Sequence, residues 1–166
     1  MTIYMTDAAR KAVLAVLDDA TDLTIATNRA DGYPQATVVS FVSDGLKLYF
    51  GCSKESQKAS NLARDGRVSA TVTPSYSSWK DIRGLSIGGR ASKVDSEVEK
   101  MKVGEMMLRR FPQIREVMEI GDPDDLAVFR IDPEVVTLLD YARGFGHVEF
   151  FDVGASGAGP ASRARG

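Results

Sequence analysis

Between Asp7 and Asp19 the apolar positions Val13, Leu14 and Leu17 recur at helical spacing, with Arg10, Lys11 and Asp18 on the other side. That pattern predicts an amphipathic helix over 7–19. Thr6 supplies an N-cap oxygen and Asp7 an acid in the first turn. From Leu23 the period changes. Short β-branched runs at 23–28, 34–42 (PQATVVSFV) and 46–50 are separated by Ala30-Asp31-Gly32 and Ser43-Asp44-Gly45, turn sequences whose glycines tolerate positive φ. The runs lie too close together for the crossover helices of a parallel sheet, so an antiparallel meander is expected.

Further along, 54–64 reads as a short helix and 67–73 (RVSATVT) as a strand, with 74–81 irregular. A strand over 85–94 carries Gly88-Gly89, a bend or bulge signal. Ser96 and Glu99 have capping-box spacing, which predicts a helix over 97–110 ending before Pro112, and 113–120 adds a short one. The last strands are expected at 126–131 and 135–141, separated by Asp132-Pro133. The fold class is mainly β with inserted helices, a six- to seven-stranded antiparallel barrel occupying residues 1–153. Residues 154–166 (GASGAGPASRARG) are too small and polar to offset the entropy of ordering them, so a disordered tail is expected.

Composition narrows the function classes. The chain has 166 residues, 43% of them apolar, so it can bury a real core within one domain. Lys plus Arg number 21 against 23 acids, a formal charge of −2, which argues against a nucleic-acid binder with a basic face. No apolar run of about 18 residues is present, so no membrane-spanning helix is expected. The N-terminal stretch has no secretory pattern, and the single Cys52 forms no internal disulfide, both of which fit the cytoplasm. With His147 as the single histidine, no zinc site of several His and Cys ligands is available.

The stretch 50–62 (FGCSKESQKASNL) carries the clearest chemistry. A strand ends at Phe50 and a helix starts within a few residues. Ser53, Ser56, the free N–H groups of the first turn and Lys58 together form an anion site suited to a phosphate. The same serines also fit ordinary helix caps with Lys58 solvated. Cys52 has no activating base at a recognisable spacing and reads as a small buried residue. The Met101, Met106, Met107 and Leu108 cluster reads as helix packing.

With the segments 34–45, 50–68 and 79–91 in this order, the chain from about Leu23 to Asp152 resembles the flavin-binding split β-barrel of the pyridoxamine 5′-phosphate oxidase-like proteins. The resemblance implies flavin mononucleotide (FMN) at the interface of a homodimer, with its phosphate on Ser56 and Lys58. It implies a ring lying along Gln35–Ser40, meeting Thr37, Val38, Val39 and Ser40 mainly through the backbone. Phe50, Gly51 and Cys52 would flank the ribityl chain, and Trp79, Arg83 and Gly84 would close over the site. The sequence departs from true pyridoxamine phosphate oxidases at Gln35, where those enzymes have arginine, and at Gln57-Lys58, where they have Arg-Lys. This points to a relative with another small-molecule substrate.

Asp140–His147 (DYARGFGH) follows the expected last strand, and Gly144 and Gly146 permit a sharp turn presenting Phe145 and His147. In a split-barrel dimer that segment could reach the partner's flavin, which makes Tyr141, Arg143 and His147 candidate substrate contacts or proton donors. The alternative is a surface turn whose glycines merely end a strand. The resulting expectation is an FMN-dependent oxidoreductase moving a hydride to or from a small organic substrate. The alternatives are a reductase using the deazaflavin F420, whose acidic tail would lie near Lys54, Lys58, Arg64 and Arg67, and a non-catalytic flavin- or haem-binding protein.

Overall fold

A computed structural model describes residues 3–118 and 121–153, so the tail expected over 154–166 lies outside the described residues. Helix α1 (Asp7–Asp19) forms as expected: the Ala9 N–H donates to Thr6 Oγ1 at 3.1 Å, and Val13, Val16 and Leu17 are buried. The strands are β1 (Asp22–Asn28), β2 (Pro34–Ser40), β3 (Val42–Asp44), β4 (Lys47–Ser53), β5 (Arg67–Val72), β6 (Arg83–Lys93), β7 (Leu126–Asp140) and β8 (Val148–Asp152). Helices α2 (Gln57–Arg64), α3 (Glu97–Arg110) and α4 (Ile114–Met118) are inserted between them.

All strand pairs are antiparallel and form one sheet in the order β2-β1-β5-β6-β7-β4-β3, with β8 beside the C-terminal half of β7. β2 and β3 stand at opposite ends of that path, yet only Phe41 separates them in sequence. The two ends must therefore meet, and the sheet curls into a split barrel. Alternate residues such as Ile25, Phe50, Ile87, Ile131 and Leu138 point into one core, shared with Val16 and Leu17 of α1 and Leu62 of α2. On the reverse face of β4 and β7 a second cluster forms, where Tyr49 and Val128 lie with Val94 beneath Val103 and Met107 of α3.

Four local differences from the expected elements have physical causes. The run 34–42 breaks at Phe41, fully buried, where the chain leaves one sheet edge for the other. The strands expected at 126–131 and 135–141 are one strand. Asp132-Pro133 sit at a bulge, opposite the register shift between Gly88 and Gly89, and there the proline's missing N–H interrupts no regular ladder. The glycine at 89 is required, because a Cβ there would lie 2.3 Å from the Asp132 carbonyl oxygen. α2 starts at Gln57, later than the expected 54, because Ser56 is its cap. β8 was not expected; with β3 it brings the strands to eight. A turn with positive φ at Gly144 (139°) and Gly146 (74°) folds it back on β7.

Candidate functional site

β4 runs into the turn 53–56 and α2, and this turn fixes the cation. The Ser56 hydroxyl accepts from the Ala59 N–H at 3.2 Å and donates to the Ser53 carbonyl at 2.7 Å, so it is engaged as a cap. The Ser53 hydroxyl donates to Asp125 Oδ1 at 3.1 Å. Lys58, in the first turn of α2, is only 9% exposed. Its ammonium stands 5.7 Å from the centroid of the Phe50 ring and has no carboxylate partner among the described residues. Burial holds its pKa below the usual lysine range, opposed by the nearby Cys52.

Asn61 anchors this helix to the sheet. It is fully buried, and its amide donates to Thr27 Oγ1 at 3.0 Å and to Gln35 Oε1 at 3.2 Å, while Gln57 donates to its oxygen at 2.9 Å. Gln35 thus ties β2 to α2, three residues beyond Lys58.

Lys58 lines a cleft of about 930 Å³. β2 contributes Val38, Val39 and Ser40, β4 contributes Gly51, and α3 contributes an apolar wall that includes Val103, Met107 and, just past its end, Phe111. Among the described residues β2 pairs with β1 alone, so its other backbone edge keeps unpaired N–H and C=O groups.

Two polar assemblies hold α3 in place. Buried Tyr49 donates to Glu99 Oε1 at 3.0 Å, and Arg130 bridges Glu99 at 2.9 Å and Asp132 at 2.9 Å. Arg130 and Tyr49 keep the Glu99 carboxyl below its usual range, while burial, followed by the bond to Glu99, pushes the Tyr49 phenol up to about 12. At the other end of α3, Arg110 donates to the carbonyls of Leu17 (3.1 Å), Asp18 (3.2 Å) and Ala20 at the end of α1, and its guanidinium lies 5.5 Å from the Phe41 ring centroid.

Of the residues expected from the sequence, Val38, Val39, Ser40, Gly51 and Lys58 come together in the cleft. Gln35, Cys52, Ser53 and Ser56 lie in the elements around it without lining it, as does half-buried Thr37 on β2. Trp79, Arg83 and Gly84 do not line it either: Arg83 pairs with Asp19 at 2.7 Å, and Gly84 packs against the Val72 carbonyl. Trp79 stacks on exposed Phe145 (6.0 Å, 8°), which in turn meets Tyr141 at 5.0 Å. Arg143 and His147 both pair with Glu149, the histidine at 3.1 Å, and are not cleft residues of their own chain. Arg64 bonds the Asn28 carbonyl and Arg67 pairs with Asp65, so neither adds charge to the cleft. Lys54, expected only beside an F420 tail, also lines the cleft, while the α3 wall, Lys93 and Lys100 were missed as site residues. The helix-spaced Val103, Met107 and Phe111 were the available signal. Among the described residues no His/Cys/Asp/Glu group fit for a metal is present, and no helix is long and apolar enough to cross a membrane.

A curled antiparallel sheet with a cleft beside an edge strand and a cation at a strand-to-helix turn defines a split β-barrel protein. The chain belongs to the pyridoxamine 5′-phosphate oxidase family, whose model matches residues 9–140. A Listeria innocua chain provisionally named a pyridoxamine 5′-phosphate oxidase is similar over 79% of this chain and 98% of its own, with 25% identity and a TM-score of 0.64. A haem-binding protein of Mycobacterium smegmatis shares the fold (18% identity, TM-score 0.74); 90% of this chain matches 60% of that one. HutZ, the haem storage protein of Vibrio cholerae, also shares it (23% identity, TM-score 0.63, covering 80% and 92% of the two chains). No curated protein sequence matches at a significant level.

Proposed function

We propose that the protein binds FMN in this cleft and acts as an oxidoreductase, moving a hydride to or from a small organic substrate. Lys58 carries the reading. The Lys58 side chain is largely covered and its ammonium faces the cleft without a carboxylate partner among the described residues, so a phosphate placed beside the N-terminal turn of α2 would gain charge and hydrogen bonds there. The cleft volume is that of a small-ligand site. The free edge of β2 supplies backbone donors and acceptors for the rim of a planar heterocycle, beside Val38, Val39 and Ser40. A bound flavin supplies hydride chemistry at N5. The chain's own residues bind the phosphate through Lys58, align the ring along β2 and exclude water with the α3 wall.

The working unit we propose is a homodimer. Within one chain Arg143 and His147 stay outside the cleft, so a part for them in turnover needs the second copy.

The absorption spectrum of the purified protein tests the cofactor. Two bands, near-ultraviolet and blue, released on denaturation as FMN, are expected. A Soret band, or failure of the stripped protein to take up FMN, overturns the reading. Lys58→Ala removes a charge-assisted contact and is expected to weaken FMN roughly ten- to a hundredfold with the fold intact.

A further inference from the structure

Cys52 is a half-buried thiol that the proposed hydride chemistry leaves unused. It shares the inward face of β4 with Phe50, two residues earlier, and packs against the same core. The Lys58 ammonium stands on that face, 5.7 Å from the Phe50 ring centroid. The Ser56 hydroxyl, which caps α2, lies 3.5 Å from the Cys52 sulfur. Strand and cap thus bring a thiol and an ammonium together. Lys58 is only 9% exposed and has no hydrogen-bond or carboxylate partner among the described residues. The charge of a Cys52 thiolate acts on it against the effect of burial, and that attraction is mutual. A thiolate beside a cation at the start of a helix is the reactive form of cysteine. Lys58 also lines the cleft, which Cys52 does not, so one ammonium borders both the thiol and the space assigned to the phosphate.

We propose that Cys52 is an oxidation site for hydroperoxides, and that the anion formed there takes Lys58 away from the phosphate. The thiolate attacks one peroxide oxygen. An S–O bond forms, the O–O bond breaks, and the departing hydroxide takes up a solvent proton as water. Sulfur gives two electrons to the peroxide and becomes a sulfenic acid. Its ionised form attacks a second peroxide in the same way and becomes a sulfinate, releasing a second water. The sulfinate carries a full negative charge, and the unpaired cation beside it is Lys58. Their pairing leaves the phosphate without its charged contact. The inference rests on the flavin reading for what the oxidation switches off, while the reactivity of the thiol stands on Cys52 and Lys58 alone.

The test treats the full chain with hydrogen peroxide, reads the products by mass spectrometry, and measures FMN affinity before and after by fluorescence titration. Cys52 is expected to gain two oxygen atoms. FMN affinity should then fall roughly tenfold or more, the effect of losing one charge-assisted contact. Cys52→Ser should keep whatever affinity it starts with through the same treatment. That variant retains Met106 and Met107, so it also controls for methionine oxidation. Lys58→Met, which keeps the apolar stem, should slow alkylation of Cys52 by iodoacetamide roughly tenfold, and Lys58→Arg should restore most of the rate. Three results would each overturn the proposal: a thiol that stays reduced while methionines oxidise, a loss of affinity shared by Cys52→Ser, or alkylation indifferent to Lys58. If the untreated chain takes up no FMN, the flavin reading falls, while Lys58-dependent oxidation of Cys52 to the sulfinate still supports the thiol site.

Discussion

Beneath α2, beside the cleft, buried polar groups are spent on one another. Asn61 serves Thr27, Gln35 and Gln57 at once in a buried position. Asn61→Ala leaves those groups without a partner and is expected to cost about 2–4 kcal/mol, read as a lower urea midpoint at unchanged slope. It also frees α2 to shift, so FMN affinity should fall with stability, whereas Lys58→Ala should lower affinity alone. Tyr49 gives a pH-dependent signature. Its pKa of about 12 when folded lies above the value near 10 of an unfolded tyrosine. The raised value means that its contribution is fully present below about pH 10 and lost as pH climbs toward 12. Comparing the urea stability of the native chain with Tyr49→Phe across pH 9 to about 12 should show an extra decline in the native chain alone. Parallel curves would disprove it.

Secondary elements were legible wherever local chemistry decides them. Thr6 and Ser96 mark the helix starts of α1 and α3, and both cap as their spacing implies. Elements decided by distant partners were not. Nothing near Phe41 announces that it must leap between the two ends of the sheet, because that follows from closure of the whole barrel. Asp132-Pro133 reads as a break because proline cannot donate to a ladder, yet the partner strand absorbs it with Gly88 and Gly89. Gly89→Ala tests this reading. Its Cβ would meet backbone atoms that cannot rotate away, and the expected cost is about 1–3 kcal/mol. Gly104→Ala makes the control, since nothing lies within 4 Å of a Cβ there and a helix interior gains from alanine. The cleft itself was half legible. The turn that leads into α2 has a local signature, whereas Lys93 and the α3 wall join the cleft through packing of α3 on the reverse face of β4 and β7. Arg110 completes that packing from the end of α3. Arg110→Ala should lower thermal stability by about 2–3 kcal/mol through the lost carbonyl bonds.

At the scale of the molecule, one sheet face has no cover among the described residues. Val135, Val148 and Phe150 are 52%, 42% and 59% exposed, and the pairing of β7 with β8 places all three on the same face. Small residues continue that face inward, with Ser86 and Gly88 on β6 and Ser69 and Thr71 on β5. A face that is apolar at its margin and small at its centre allows close approach of a second sheet. The twofold arrangement lets identical faces bury each other. Beside it, Trp79 and Phe145 are 66% and 79% exposed although stacked on each other, a large aromatic area to leave in water. The homodimer is proposed on these grounds, and it predicts a mass in solution of twice the 18.0 kDa chain. Phe150→Asp introduces a charge on this face without touching the core, since the side chain already points outward. Light scattering should then report the single-chain mass with secondary structure retained. If the cofactor site is completed by the second copy, FMN should be lost at the same protein concentrations at which the dimer dissociates. A variant that stays dimeric would show that another surface makes the interface, and a monomer that keeps its flavin would show that one chain is enough for the site.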